Sequence, residues 1–327
     1  MSDNIINHMW VIGSGPMTID YIKVLDALKV SYQVIGRGID SAKDCESKTG
    51  VKVVTGGLES HISDCKDFPS SAIVAVGVEQ LANVAKVLLQ NGVKKILIEK
   101  PGGLNEDEIR SVHEKTKKRN AEVYVAYNRR FYTSTLKAQE IIREDGGVRS
   151  FNFEFTEWSH EIVNIKKAPG VKENWLLANS SHVIDLAFFL GGKPKEISCY
   201  VGGALDWHPS GSIFTGAGIS EKDALFSYQA DWGAPGRWSV EVLTKKHRLI
   251  FKPLEKLQIQ NIGEVAINEV AIDDDLDRTF KPGLFRQVKA FMDGDLLNLL
   301  KIEEHLVMLK YYLILKKISS ASLRKNI

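Results

Sequence analysis

Short apolar runs alternate with amphipathic stretches through about the first 125 residues, and this alternation most limits the possible fold. Met9–Ile12 and Tyr32–Ile35 are typical of strands, and residues 17–29 between them have the helical spacing of apolar side chains. The same order continues with strands at 72–76, 96–98 and 123–126 and helices at 80–90 and 106–118. It predicts a parallel sheet with helices on both faces.

One of these predicted strands, residues 96–98, runs directly into Glu99-Lys100-Pro101 and a glycine pair. Proline has no backbone N–H for a sheet ladder, so the chain must leave the sheet at Lys100. Ligands bind at the carboxyl ends of the strands in an open parallel sheet, which makes Lys100 a candidate active-site residue. The alternative is an ordinary turn with a solvated lysine.

The turn Gly13-Ser14-Gly15-Pro16-Met17-Thr18 lies between the first predicted strand and helix. Its first glycine permits a tight turn, and Gly15 lets a pyrophosphate approach the backbone at a helix N-terminus. The third position of this fingerprint is Thr18 instead of glycine, so the motif is incomplete. Its placement between strand and helix still predicts dinucleotide binding over a plain turn.

The end of the second predicted strand indicates which dinucleotide is bound. NAD-selective sites usually have Asp or Glu there, whereas this strand ends in Ile-Gly36-Arg37. Gly36 leaves room, Arg37 suits a 2′-phosphate, and Ser41 offers a hydroxyl. We predict NADP(H), with NAD(H) as the second possibility. Asp40 is the competing ribose ligand, although its place also suits the start of the next helix, and Arg37 has the alternative of a plain surface arginine.

After Gly146-Gly147 the pattern changes to period 2, beginning with Phe151, Phe153 and Phe155. Further runs follow at 196–201, 225–231, 238–244, 248–251 and 257–260, with a helix near 182–190 and closing helices at 284–292 and 302–318. We predict an α/β domain over residues 1–126 and an α+β domain over 127–327 with a large, mainly antiparallel open sheet. The terminal helices could pack back on the first domain.

Composition excludes several classes of protein. The 327 residues include 43 basic and 41 acidic ones, a net charge of +2, so nucleic acid is not an expected partner. Cys45, Cys65 and Cys199 are too few and too scattered for a disulfide framework or a zinc site. The first residues do not have the pattern of a secretory signal peptide, and charged residues interrupt the apolar C-terminal region. We therefore expect a cytoplasmic protein without a membrane partner.

Four motifs in this order resemble the Gfo/Idh/MocA family of NAD(P)-dependent oxidoreductases over nearly the whole length. They are the Gly13/Gly15 turn, Glu99-Lys100-Pro101, Tyr127-Asn128-Arg129-Arg130-Phe131 and Ser181-His182-Val183-Ile184-Asp185-Leu186. The resemblance implies a Rossmann domain, a second domain whose sheet often mediates oligomers, and hydride transfer at a sugar, inositol or related carbon. It also implies an active-site lysine at Lys100, a catalytic histidine at His182 and a cis peptide before Pro101.

The predicted catalytic residues are Lys100 and His182, and the predicted substrate ligands are Lys100, Asn128, Asn179 and His182. The predicted cofactor ligands are Gly13, Gly15, Pro16, Met17, Arg37, Ser41, Gly77, Glu99, Lys100, Pro101, Asn128 and Arg130. No metal is predicted, because His182 and Asp185 lack the third ligand of a catalytic zinc site.

The sequence departs from the family pattern at one important position. Many members have aspartate four residues before the histidine, where this chain has Ala178. Asn179 beside it can orient a hydroxyl but cannot exchange protons near neutral pH. His182 or Lys100 must then carry proton transfer alone, unless the reaction is not simple alcohol oxidation. The alternative for His182 is a satisfied core residue, and we interpret Asp185 as structural support.

The leading hypothesis is an NADP-dependent oxidoreductase that transfers hydride to or from a carbohydrate or nucleotide-sugar carbon. The alternatives are a sugar oxidoreductase or isomerase that keeps its cofactor bound, and a non-enzymatic NAD(P)-sensing regulator. Substrate choice would lie in residues 157–175 and 202–222, whose candidate anion ligands are equally plausible as solvated loop residues: His160, Lys166, Lys167, Lys172, Trp207 and His208. One apolar sheet face left uncovered would favour a homodimer or homotetramer.

Overall fold

The computed structural model describes residues 9–65 and 67–316. The chain divides into two compact units. Among the described residues, the first comprises residues 9–128 and Leu276–Leu306, and the second comprises Arg129–Asp275 and residues 307–316. The segment Leu276–Leu306 therefore returns to the first unit.

Although the sequence does not indicate β3 (Val53–Val54) and α3 (Gly57–Asp64), strands and helices alternate along the first unit as predicted. They are β1 (Met9–Ile12), α1 (Pro16–Ala27), β2 (Tyr32–Ile35), α2 (Ile39–Thr49), β3 (Val53–Val54), α3 (Gly57–Asp64), β4 (Ser71–Val74), α4 (Val78–Gln90), β5 (Lys95–Glu99), α5 (Glu106–Lys118) and β6 (Glu122–Ala126). The strands pair in parallel in the order β6-β5-β4-β1-β2-β3. The predicted parallel α/β sheet is confirmed.

The core of this sheet is a row of apolar side chains on adjacent strands. Val11 pairs with Ile73, and Ile73 pairs with Leu97. All three are completely buried. Strands covered on both faces need continuous apolar runs, which explains why these segments lack polar alternation. The parallel pairing brings the carboxyl ends of all these strands to one edge.

Helix α5 shows how local sequence sets the helix limits. The side chain of Asn105 accepts a hydrogen bond of 3.0 Å from the backbone N–H of Glu108 and so caps the helix N-terminus. Three acidic residues lie in the first turn and three lysines in the last turn, where they complement the helix dipole: Glu106, Asp107, Glu108, Lys115, Lys117 and Lys118.

The second unit is built on the predicted antiparallel sheet. Its elements are α6 (Thr133–Glu144), β7 (Ser150–Glu154), α7 (Ser159–Ile162), a π-helical turn (Leu176–Ser180), α8 (Ser181–Gly191), β8 (Pro194–Gly202), β9 (Ile213–Ser220), β10 (Leu225–Asp231), β11 (Ser239–Leu243), β12 (His247–Phe251), β13 (Gln258–Asn261) and β14 (Asn268–Glu269). The strand order is β14-β13-β12-β11-β7-β10-β9-β8, and β7–β10 is the parallel pair among antiparallel ones.

Helix α8 covers one face of this sheet. Phe188 packs its ring edge against Phe151, Phe153 and Phe226, with centroid separations of 5.9, 5.4 and 5.2 Å. These contacts bury the apolar half of the alternating strands. They also fix the position of α8, the helix that contains His182.

The other face of the sheet differs from the expectation of an apolar surface. Its centre is polar, because Asn152 pairs with Ser227 and Glu154 with Gln229 in the register of β7 and β10. Exposed apolar side chains lie toward one side, at Tyr200, Ile213 and Leu225. The argument for an oligomer from an uncovered apolar face is weakened accordingly, and the homodimer or homotetramer stays a prediction.

The closing elements are α9 (Asp275–Thr279), α10 (Leu284–Asp293), β15 (Leu300–Lys301) and α11 (Ile302–Lys316). Helix α10 packs on α1, and β15 joins the first sheet antiparallel to β6. The predicted end of the last helix at 318 falls outside the described residues. No helix within residues 9–65 and 67–316 is both long enough and apolar enough to cross a membrane.

Candidate active site

The turn after β1 has one glycine that the fold itself requires. Gly13 has φ +126°, and an added Cβ would lie 2.2 Å from the carbonyl oxygen of Ala75. Thr18, at the third fingerprint position, is fully buried, and its Oγ1 would be 3.2 Å from that Cβ. Because Gly13 has no side chain, there is room for Thr18 at the position where the fingerprint has its third glycine. Strand β1 and helix α1 can therefore still pack closely.

Gly15 is different, because nothing in the described part of the chain requires a glycine there. It is the N-cap of α1 with φ −87° and ψ −174°, which any residue can adopt. An added Cβ would meet no atom within 4 Å, and no side chain caps the helix. Open space at an uncapped helix N-terminus is what a dinucleotide pyrophosphate needs for close approach to backbone N–H groups. The residues present therefore fit the pyrophosphate of a dinucleotide, with Pro16 and Met17 in the same turn.

The end of β2 exposes the residues predicted to select the cofactor. Arg37 and Ser41 are both exposed, and Arg37 Nη2 donates a 3.1 Å hydrogen bond to Gln80 Oε1. The hydroxyls of Ser14 and Ser41 are 2.8 Å apart, which joins this edge to the glycine turn. The space beside Gly36 is filled by Ser14, whose Oγ would lie 2.7 Å from an added Cβ.

The competing ribose ligand Asp40 and the predicted cofactor ligand Gly77 both have local structural explanations. Asp40 is exposed in the first turn of α2, where its charge favours the helix dipole. Gly77 is the N-cap of α4, and an added Cβ there would lie 2.4 Å from Glu79 Oε1. Cofactor contact at Gly77 stays a prediction.

Lys100 follows β5 at the same sheet edge as Gly13. The peptide bond between Lys100 and Pro101 is cis, as the resemblance implies. Glu99 accepts a 2.6 Å hydrogen bond from the hydroxyl of Tyr21 on α1. Burial raises the pKa of Glu99, although the Tyr21 hydrogen bond and the Lys100 charge oppose this. His305 Nε2 lies 2.9 Å from the carbonyl oxygen of Pro101 and so holds the turn from the other side.

Asn128 has a role in the structure that its sequence context does not indicate. Its Nδ2 donates a 2.9 Å hydrogen bond to the carbonyl oxygen of Pro282. The neighbouring Lys281 Nζ lies 2.9 Å from Met17 Sδ and 3.5 Å from Asp20 Oδ2. Asn128 thus anchors a segment that brings a cation beside the first turn of α1. Lys281 is a candidate cofactor ligand that the sequence analysis misses, because it lies 264 positions from Met17.

In the second unit, Arg130 and Asp185 form a buried pair. Arg130 donates from Nε and Nη2 to the two carboxylate oxygens of Asp185, at 2.7 and 2.6 Å, and its guanidinium lies 4.6 Å from the ring of Phe189. This supports the interpretation of Asp185 as structural. The predicted contact of Arg130 with the cofactor stays a prediction.

His182 lies in the first turn of α8, directly after the π-helical turn. It is buried, and its ring is 6.1 Å from the ring of Trp238. A π-helical turn inside a helix is rare and is frequent at functional sites. It is consistent with a functional role for this segment, which also contains Ala178 and Asn179.

Glu157 is a buried carboxyl beside this turn, and the sequence analysis misses it. Its Oε1 accepts a 2.6 Å hydrogen bond from Ser180, and Asn179 Nδ2 lies 3.1 Å from each of its oxygens. The side chain is 1% exposed. Burial raises the pKa of Glu157, although hydrogen bonds from Ser180 and Asn179 favour its charged form. The amide of Asn179, a predicted substrate ligand, is therefore also bound within the protein.

The candidate anion ligands of the substrate segments differ in exposure, because His160, Lys166 and Lys167 are exposed, whereas Trp207 and His208 pack against other aromatic rings. His208 is fully buried, with Nδ1 2.7 Å from the carbonyl oxygen of Gly211. Trp207 stacks on Trp232 at 5.6 Å with an interplanar angle of 2°, and its Nε1 donates to Ser159 Oγ at 3.0 Å. These residues form an aromatic cluster that fixes the segment, which explains them without a ligand.

No family model and no curated protein sequence matches this chain. Solved structures do match it. Levoglucosan dehydrogenase in complex with NADH and L-sorbose is 16% identical, with a TM-score of 0.73, and the match covers 94% of this chain and 95% of that one. UDP-N-acetylglucosamine 3-dehydrogenase GnnA from Acidithiobacillus ferrooxidans is 14% identical, with a TM-score of 0.72 and coverage of 94% and 96%.

The WlbA dehydrogenase from Chromobacterium violaceum, in complex with NADH and UDP-GlcNAcA, is 14% identical, with a TM-score of 0.72 and coverage of 96% and 94%. At such low identities the likeness concerns the fold. The chain therefore has the two-part fold of these dehydrogenases, a parallel dinucleotide-binding type of sheet followed by a mainly antiparallel open sheet.

Proposed function

We propose that this protein is a nicotinamide-dependent oxidoreductase that acts on a hydroxyl or carbonyl carbon of a carbohydrate. The observation that carries the proposal is the open side of Gly15 at the N-terminus of α1, on the same sheet edge as Lys100. The motif resemblance to the Gfo/Idh/MocA family supports it. The sugar and nucleotide-sugar dehydrogenases that share the fold support the same substrate class.

The glycine turn would hold the pyrophosphate, and Arg37 and Ser41 would hold the 2′-phosphate of NADP(H). NADP(H) is the preferred cofactor in this proposal because the exposed end of β2 presents a guanidinium. The competing choice is NAD(H), since two of the three solved structures named above contain NADH. When bound, the nicotinamide would supply the hydride acceptor or donor.

Lys100 and His182 would carry the remaining chemistry. In the oxidation direction, His182 takes the hydroxyl proton, because histidine side chains ordinarily titrate near neutral pH. The Lys100 ammonium donates a hydrogen bond to the same oxygen and stabilises the negative charge that develops on it. Proton transfer at His182 reverses in the reduction direction.

Two alternative functions gain no specific support from residues 9–65 and 67–316: a cofactor-retaining isomerase and a non-enzymatic regulator. A nucleotide-linked sugar as the particular substrate, a homo-oligomeric state and a cytoplasmic location also stay predictions.

Titration of the purified chain with NADPH and NADH, followed by tryptophan fluorescence, tests the first step of this proposal. A thermal-shift screen of free sugars, inositols and nucleotide sugars with saturating cofactor tests the second. We expect saturable cofactor binding and stabilisation by at least one sugar compound. A chain that binds neither nicotinamide dinucleotide would contradict the proposal.

A further inference from the structure

An arginine on the loop between β10 and β11 is held between two indole rings. The guanidinium carbon of Arg237 lies 4.6 Å from the ring centroid of Trp158 and 4.9 Å from that of Trp238. Trp158 is fixed in turn, because its Nε1 donates a 3.0 Å hydrogen bond to the carbonyl oxygen of Gly236. Stacking on aromatic faces sets the orientation of a guanidinium while its N–H groups stay available at the edge.

Trp238 joins this arginine to the proposed catalytic residue. Its ring lies 6.1 Å from the ring of His182 and, besides Arg237, has the guanidinium of Arg129 at 4.9 Å. All four residues belong to the second unit. The Arg237 guanidinium and the His182 imidazole therefore both lie beside the Trp238 ring.

The carboxylate nearest to Arg237 in the described contacts is that of Glu157, and the two form a long ion pair. Arg237 Nη1 lies 3.7 Å from Glu157 Oε2, beyond hydrogen-bond distance, while Glu157 itself accepts from Ser180 and Asn179. Burial raises the pKa of Glu157, although its hydrogen bonds and the Arg237 charge oppose this. The Arg237 side chain keeps 46% of its surface exposed, against 1% for Glu157. A fixed, exposed guanidinium with several N–H donors suits two-point binding of an external oxyanion.

We propose that Arg237 is the specificity-determining residue for a substrate that carries an anionic group, either a carboxylate or a phosphate. The Trp158–Arg237–Trp238 stack holds the guanidinium ready for that group, and Trp158, 47% exposed, offers an indole face to the adjoining sugar ring. This proposal rests on the proposed function in one respect, since it makes the surface next to His182 the substrate site. Its two chemical sources are a sugar acid and a nucleotide diphosphate.

Isothermal titration calorimetry on the full chain, with and without NADPH, tests the proposal with D-glucuronate, UDP and D-glucose as probes. The variants are Arg237→Gln, which removes the charge, and Arg237→Lys, which keeps the charge without the planar fork. The matched control is Arg248→Gln on β12. The Arg248 side chain has an exposed fraction of 42%, similar to that of Arg237, but its guanidinium binds Glu241.

We expect at least one anion to bind the wild type and to lose about ten- to a hundred-fold in affinity in Arg237→Gln. Arg237→Lys should lose less, and Arg248→Gln should bind as the wild type does. Loss for glucuronate alone identifies a carboxylate site, and loss for UDP alone identifies a phosphate site. Any binding of D-glucose should not change.

The proposal is overturned if neither anion binds the wild type, or if Arg237→Gln binds both anions with wild-type affinity. Equal losses for the anions and D-glucose would also overturn it, because they would show a role in folding of the loop. Cofactor binding is recorded in the same experiments. Failure of NADPH and NADH to bind would therefore count against the proposed function and leave the anion result readable by itself.

Discussion

Arg130 binds both carboxylate oxygens of Asp185 within the second unit, and the carboxylate is 1% exposed. Removing one partner of such a buried pair leaves the other charge without compensation. Asp185→Asn should therefore lower the free energy of unfolding by about 3 kcal/mol or more, measured by urea denaturation. Asp44→Asn is the control, since the Asp44–Lys48 pair is exposed and should change stability by less than about 0.5 kcal/mol. Similar small effects in both variants would contradict this account of the pair.

Alanine substitutions at Gly13 and Gly15 should have different effects, the first on stability and the second on cofactor binding. Gly13→Ala forces a side chain into a positive φ and against the Ala75 carbonyl, so it should cost about 1–3 kcal/mol in stability. In Gly15→Ala the added Cβ meets no atom of the other described residues within 4 Å, so the melting temperature should change little. This substitution should weaken NADPH binding about tenfold or more by displacing the pyrophosphate from the backbone. Unchanged cofactor affinity in Gly15→Ala would show that the open side of this glycine is not the dinucleotide site.

In the proposed function, the residues that follow β2 determine whether NADPH or NADH binds. Arg37→Ala should weaken NADPH binding by about ten- to a hundred-fold, because a charge-assisted contact is lost, and leave NADH binding nearly unchanged. Asp40→Asn is the matched test of the alternative, in which Asp40 holds the ribose hydroxyls. Direct titration of both variants with NADPH and NADH distinguishes binding through Arg37 from binding through Asp40. A wild type that prefers NADH, together with an Asp40→Asn variant that loses it, would reverse the assignment.

Glu157 should make the stability of the fold decrease as the pH rises, which is opposite to the usual effect of a carboxylate. Its folded pKa is raised, chiefly by burial, so the folded state holds this proton more tightly than the unfolded state. Glu157 therefore makes stability fall as the pH rises from about 4.3, the ordinary glutamate value, through its folded pKa. Glu157→Gln should remove this component when melting temperatures are followed from acidic to neutral pH. An identical pH profile in the variant would rule out a raised pKa at this site.

Asp145 provides the opposite case in the same unit. Burial opposes its ionisation, but hydrogen bonds from Thr244 and His247 outweigh burial, and its pKa is lowered. The contribution of Asp145 to the free energy of unfolding is present above the ordinary aspartate pKa. It is lost as the pH falls through the pKa of Asp145 in the folded state. Asp145→Asn should therefore lower stability most near neutral pH and least in acid. A loss of the same size at every pH would show that shape alone, and not charge, accounts for it.

The sequence predicts the first unit well because its signals are local. Continuous apolar runs mark β1 and β2, and acidic and basic turns mark both ends of α5. Strand β9 is absent from the prediction, because it contains Gly216 and Gly218, which are typical of loops. Both are needed for packing: an added Cβ would lie 2.4 Å from the Tyr228 hydroxyl at Gly216 and 2.6 Å from the Phe226 ring at Gly218.

The parts of the candidate site that could not be predicted depend on distant contacts. Glu157 becomes a buried carboxyl through Asn179 and Ser180, more than twenty positions later. Lys281 reaches Met17 from the other end of the chain. No spacing rule links such pairs in a single sequence. In contrast, the position of Gly13, Gly15 and Lys100 at one edge of the sheet could be predicted, because parallel strands bring their carboxyl ends to one edge.

The measurement that tests the central claim most directly is reduction of NADP+ by the sugar compounds that stabilise the protein, in wild type, His182→Ala and Lys100→Ala. General acid–base catalysis contributes about 10²–10⁴-fold, so kcat should fall by about that factor in His182→Ala. Lys100→Ala should fall similarly, and both should keep wild-type affinity for NADPH. Near-wild-type turnover in either variant, on a substrate that the wild type oxidises, would contradict the role assigned to that residue.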